Sequence, residues 1–234
     1  HVAGVRLVVD HLKDFGILPF VTVWKDPAEP DSDCGDTFAA LNQELAPDEA
    51  NIQVQGGDGF VGVLNHSLPK LHNENCTHVM VLSFTSVGVL SSEVVTATLT
   101  AIKSGAEVVG IVHPDIRRYV RAGLVTNTHC VWSLAMLSRF NGFSNYDIRP
   151  SNFDVSRDMV GVVEAVNPVI WSRSLGRPVL AIVDHDQQGD IRNDSKHHAK
   201  LANKERRIKL MFERLKLTEK DFQNCIMDGY PLKV

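Results

Sequence analysis

The chain has 234 residues, 44% of them apolar and 22% charged, and carries a formal net charge of −4. These are the fractions of an ordinary globular protein, with length for one large domain or two small ones. So small a negative charge exerts no general pull on nucleic acid or an anionic membrane, and an anionic ligand must be held by local groups.

Val5, Val8, Val9, Leu12 and Phe15 share one face of a helix that starts at Val2 and stops at Gly16. Ile17 to Trp24 reads as a buried strand, followed by an acidic, proline-containing loop from Lys25 to Gly35. Asp36 and Thr37 can cap a helix to about Leu45. Asn51 to Val54 is a short strand, and Gly56-Gly57-Asp58-Gly59 turns into a helix from Phe60 to Leu71. Val79 to Phe84 reads as a strand, Ser91-Ser92-Glu93 opens a helix that ends near Gly105, and Glu107 to Val112 is a further strand. This alternation predicts βαβ crossovers on a mostly parallel central sheet with helices on both faces.

The second half is less regular. Leu124 to Leu137 passes from strand into helix, and Asn141 to Asp158 is a loop. Met159 to Leu175 reads as helical, with Pro168 starting or kinking a turn. Val179 to Val183 is a last strand. Asp184 to Asp194 reads as acidic and flexible. Lys196 to Leu215 is a basic amphipathic helix, and a short terminal segment includes Asp221 to Cys225. No repeat and no linker divides the chain, so residues 1–234 are read as one domain.

Cys34, Cys76, Cys130 and Cys225 form no CxxC pair, which argues against a zinc ribbon or a thioredoxin-like site. Read as reduced thiols, they point to a cytoplasmic setting. No apolar run reaches 18 residues, so no membrane span is expected.

Four places carry candidate chemistry. The Gly57-Asp58-Gly59 turn lets backbone approach a ligand, and the helix start behind it favours an anion. Asp26, Asp31, Asp33 and Asp36 follow a strand whose carboxyl end is where such sheets bind ligands. Asp184-His185-Asp186 follows another strand and offers carboxylates and an imidazole for a divalent metal or a base. Alternation on that strand would let Asp184 and Asp186 converge. The basic helix offers Lys196, Lys200, Lys204, Arg206, Arg207, Lys209 and Arg214, but only Phe212 interleaves, so a solvated face is expected in place of a nucleic-acid surface. His197 and His198 read as solvated.

The order of these pieces resembles the glycosyltransferase A fold, in its inverting, family-two-like form, over roughly Val5 to Leu215. Trp24-Lys25-Asp26 and Asp33 to Thr37 stand where that family has its first acidic motif, so the resemblance puts Asp26 at the nucleotide base. Gly57 to Asn65 is similar to its glycine-rich helix start. Ser83 and Thr85, in Val81-Leu82-Ser83-Phe84-Thr85, occupy the places of the two aspartates of D-x-D. Asn141-Gly142-Phe143-Ser144 is similar to a Gly-Gly-Phe turn, and Glu164-Ala165 to Gly176 resembles an acidic pair opening a helix that ends in Arg-x-x-x-Gly.

The resemblance implies transfer of a sugar from a nucleoside-diphosphate sugar to an acceptor hydroxyl, with Glu164 as the base. It also implies Mn²⁺ or Mg²⁺ on D-x-D carboxylates, yet the hydroxyls of Ser83 and Thr85 bind such a cation poorly. Asp184 and His185 would then supply a residual metal or phosphate contact. Ala165 stands where the second acid of the pair acts as base. Two alternatives stay open. One is a protein that kept this fold as a binding or scaffold module. The other is a nucleotide or lipid kinase, because GGDG over Ile52 to Leu68 also resembles the phosphate loop of lipid and NAD kinases, with Phe60 where those have Thr.

Overall fold

A computed structural model describes residues 2–17, 19–25, 34–56, 59–82, 90–112, 130–143, 163–186, 208–230 and 232–233. In chain order the described elements are α1 (Val2–Lys13), β1 (Phe20–Lys25), α2 (Cys34–Glu44), β2 (Asn51–Gly56), α3 (Gly59–Asn73), β3 (His78–Val81), α4 (Ser92–Lys103) and β4 (Val108–Val112). There follow β5 (Cys130–Ser133), α5 (Leu134–Arg139), α6 (Val163–Leu175), β6 (Leu180–Asp184), α7 (residues 208–215), α8 (Glu219–Cys225) and β7 (Leu232–Lys233).

The expected alternation is present to β4, but the strands form two hydrogen-bonded sheets where one was expected. β1 and β2 pair in parallel, while β3, β5, β4, β6 and β7 form a five-stranded sheet in that order. Within it β4–β6 and β6–β7 are parallel, and β5 runs antiparallel to both of its neighbours. The reversal of β5 was not read from the sequence, because a short apolar run looks the same in either direction.

Alternate side chains of the large sheet enter two cores. Val108, Val112, Cys130, Trp132, Leu180 and Ile182 face one way. They pack with Leu68 and Leu71 of α3, Val166, Val169 and Trp171 of α6, Ile208 and Met211 of α7, and Phe222 of α8. Val109, Ile111, Val131, Ala181 and Val183 face the other way, onto Leu12 of α1 and Val94, Val95, Ala97 and Ala101 of α4. Helices on both faces explain why every residue of β4 and β5 is buried, as continuous apolar strands require. A third core joins Val9 of α1 with Leu41 and Leu45 beside β1 and β2.

Several boundaries differ from expectation for local reasons. β1 begins at Phe20 instead of Ile17, because the turn ending α1 runs on: Gly16 has φ +66° and the Ile17 N–H donates to Leu12 O. Ser91 caps α4 by accepting from Val94 N, and Gly105 closes it at φ +92°. Pro168 does not start a turn. It lies inside α6, where it forfeits one backbone bond near the helix start while Val166 and Val169 around it are buried. The terminal segment forms α8, held by a Thr218–Asp221 capping box in which Thr218 lowers the Asp221 pKa. Of the expected basic helix, residues 208–215 are described. They bury Ile208 and Met211 and expose Lys209 and Arg214, while Lys196 to Arg207 lies outside the described residues. No disulfide joins the four cysteines, and burial pushes the Cys225 thiol up to about 12. Among the described residues, no helix is long and apolar enough to cross a membrane.

An ion cluster ties α1 to the turn before β2. Arg6 grips Glu49 with both terminal nitrogens, at 2.8 and 2.9 Å, and Lys13 Nζ lies 3.2 Å from the same carboxylate. The Arg6 hydrogen bonds, then the Ala46 N–H, lower the Glu49 pKa from 4.5 to about 2. A carboxylate whose folded pKa is depressed stabilises the fold above its unfolded pKa. That contribution is therefore expected to fade as pH falls from about 4.5 to about 2. Urea melts at about pH 5 and about pH 3 should show a smaller pH-dependent loss in Glu49→Gln than in the parent chain. Equal losses would refute the assignment.

Candidate functional site

Connections and strand directions place the candidate residues. α1 leads into β1 through a short turn, so it runs back along that strand. α3 leaves the carboxyl end of β2 and delivers the chain to the start of β3. α6 is joined to the start of β6 by residues 176–179. β1 and β2 run the same way within the small sheet, and β3, β4 and β6 run the same way within the large one, so each sheet has its own carboxyl edge, the kind of edge where open α/β sheets bind ligands.

Four predicted residues stand at the starts or ends of described elements. Gly59 is the first residue of α3, and Glu164 is the second of α6. Asp184 ends β6, where its backbone is flanked by Val112 of β4 and Lys233 of β7. His185 follows, buried, with its N–H donating to Val112 O at 2.9 Å. Because β6 ends at Asp184, strand alternation does not carry on to Asp186. Asp184 is half-buried and Asp186, past the strand end, is exposed. Among the described residues, no three His, Cys, Asp or Glu side chains gather as a metal-binding group. Asp26, Asp31, Asp33, Gly57, Asp58, Ser83, Thr85, His197 and His198 lie outside the described residues. In sequence, Asp26 directly follows β1, and Gly57 and Asp58 join β2 to α3.

The structure also brings together two motifs that the sequence left separate. Asn65 of α3 clasps the turn after α5 with both atoms of its amide. Its Nδ2 donates to Phe143 O at 2.9 Å, and its Oδ1 accepts from Phe143 N at 2.7 Å. Gly142 has φ +85°, and a Cβ there would lie 2.5 Å from Asn65 Oδ1. Glycine is therefore needed both for backbone angle and for room. The clasp seats Phe143 edge-on against Trp132, with centroids 5.3 Å apart. No sequence rule links an asparagine to a glycine turn 77 positions on; the resemblance put both in one motif series but gave no contact between them.

Gly142→Ala is expected to cost roughly 1–3 kcal/mol, from the left-handed backbone plus a displaced amide. Adding Asn65→Ala should recover part of that loss, because the atom that clashes is gone. Urea melts of both single variants and the double variant check this. Strict additivity would count against the clasp.

No protein-family model, curated protein sequence or solved structure matches the chain.

Proposed function

We propose that the chain is a nucleotide-sugar-binding α/β domain of the glycosyltransferase A kind. Its donor would lie on the carboxyl edge of the parallel strands. The observation that supports this reading is that Gly59 opens the helix after β2, Glu164 is the second residue of α6, and Asp184 and His185 stand at the carboxyl end of β6. The start of α3 offers backbone N–H groups to a diphosphate. Asp26, next after β1, is the group assigned to the base. Ser83 and Thr85 can donate hydroxyl hydrogen bonds to phosphate oxygens. In the transfer step, Glu164 takes the proton of the acceptor hydroxyl. The acceptor oxygen bonds to the anomeric carbon, and the bond from that carbon to the diphosphate breaks, releasing nucleoside diphosphate.

Binding without transfer is the second reading. It is favoured by Ser83, Thr85 and Ala165, which stand where three acids serve in the resembled family. Calorimetric titration with UDP-, GDP- and ADP-sugars, with and without Mn²⁺, separates the two. Heat of binding followed by nucleoside diphosphate release supports transfer, and heat alone supports the binding module. No heat and no thermal shift with any donor would overturn both.

A further inference from the structure

Asparagine can lose its side-chain amide by a reaction within its own chain. The backbone nitrogen of the next residue gives up its proton and bonds to the asparagine Cγ. Ammonia leaves with Nδ2, and a five-membered succinimide remains. Solvent water then opens that ring at either carbonyl, giving aspartate or the β-linked isoaspartate. A side chain on the next residue hinders the attack, so glycine is the permissive neighbour. Asn141–Gly142 is the chain's one asparagine–glycine pair.

The turn after α5 treats the two partners of this reaction differently. Asn141 is exposed, in the left-handed region at φ +59°, so the amide to be lost stands at the surface. Gly142 is buried, and its N–H donates to Leu137 O at 2.6 Å. The nitrogen that must attack is therefore the one whose proton is held. Beyond it, Asn65 fixes Phe143 at both its N–H and its C=O, and Phe143 is seated on Trp132. Gly142 lies between these two anchorages and cannot turn toward Asn141 Cγ until they open.

We propose that Asn141 is a deamidation site, that the Leu137 bond and the Asn65 clasp hold it closed in the folded chain, and that its β-linked product bars return to the fold. In isoaspartate the backbone runs through the former side chain and gains one carbon between residues 141 and 142. Gly142 N–H can then no longer reach Leu137 O while Phe143 meets both amide atoms of Asn65. Unfolding thereby becomes irreversible at a defined bond. None of the residues assigned to donor or acceptor takes part.

The test incubates the full chain at mildly alkaline pH, folded and in urea, and follows acid formation at each asparagine by mass spectrometry. Loss at Asn141 is expected to be on the order of 100-fold slower in the folded chain, because three hydrogen bonds must open together. Asn65→Ala removes two of the three and should raise the folded rate about 10-fold. The comparison of folded chain with urea needs no variant, and it stands if Asn65→Ala does not fold. Asn75 is the control in the same samples. It is exposed at φ +57° but precedes Cys76, and should react little in either state. Chains that form isoaspartate in urea should stay unfolded on dilution, while unmodified chains refold. Three results overturn the proposal: equal rates at Asn141 in folded chain and urea, a folded Asn65→Ala variant that reacts no faster than the parent, or isoaspartate chains that refold alongside unmodified ones.

Discussion

Replacing Trp132 with alanine is expected to cost about 3–5 kcal/mol. The indole is fully buried on β5, the reversed strand between β3 and β4. Its ring meets Trp171 edge-on at 5.7 Å and Phe143 edge-on at 5.3 Å, and Phe140 stacks on Trp171 at 5.6 Å. Removing it opens a cavity where the sheet meets α5, α6 and the Asn65 clasp, and neighbours held by backbone pairing cannot collapse into it. Domain stabilities of about 5–15 kcal/mol leave such a variant close to unfolding. The indole N–H has no hydrogen-bond partner among the described residues. Trp132→Phe therefore loses volume and no hydrogen bond, and should cost less than half as much as alanine. Equilibrium urea unfolding measures both. A loss below about 1.5 kcal/mol for alanine would show that this cluster is not the centre of the core.

The second large effect concerns the proposed chemistry. Glu164→Gln is expected to slow sugar transfer about 10²- to 10⁴-fold while leaving donor affinity unchanged. The substitution keeps size and hydrogen bonding but cannot take a proton. Glu164 lies in the first turn of α6, where a carboxylate also steadies the helix dipole. That structural contribution alone predicts a stability loss of about 0.3–1 kcal/mol and no change in rate. Single-turnover release of nucleoside diphosphate, the donor Kd and the pH profile together distinguish the two roles. If Glu164 is the base, the acidic limb of the rate profile disappears in the variant. An unchanged rate would place the base elsewhere.

The candidate site was legible in part. Glycine turns and acidic residues after apolar runs mark strand ends, and open α/β sheets bind ligands at such ends. That logic singled out Gly59, which opens α3, and Asp184, which ends β6. It also extended strand alternation to Asp186, where β6 has already ended, since strand ends depend on pairing with β4 and β7. Nothing local could reveal the Asn65–Gly142 clasp. Its two halves meet only because α3 and the turn after α5 lie on the same face of the large sheet.

By itself the sequence determined the element types. Hydrophobic period distinguishes helix from strand, and Ser91, Gly16 and Gly105 end elements through capping and positive φ, which are local properties. Only the tertiary structure decided the reversal of β5 and the division of the described strands into two sheets. Strand direction and pairing are set by contacts between distant segments. A short apolar run carries no mark of which neighbour it will bond, or in which sense.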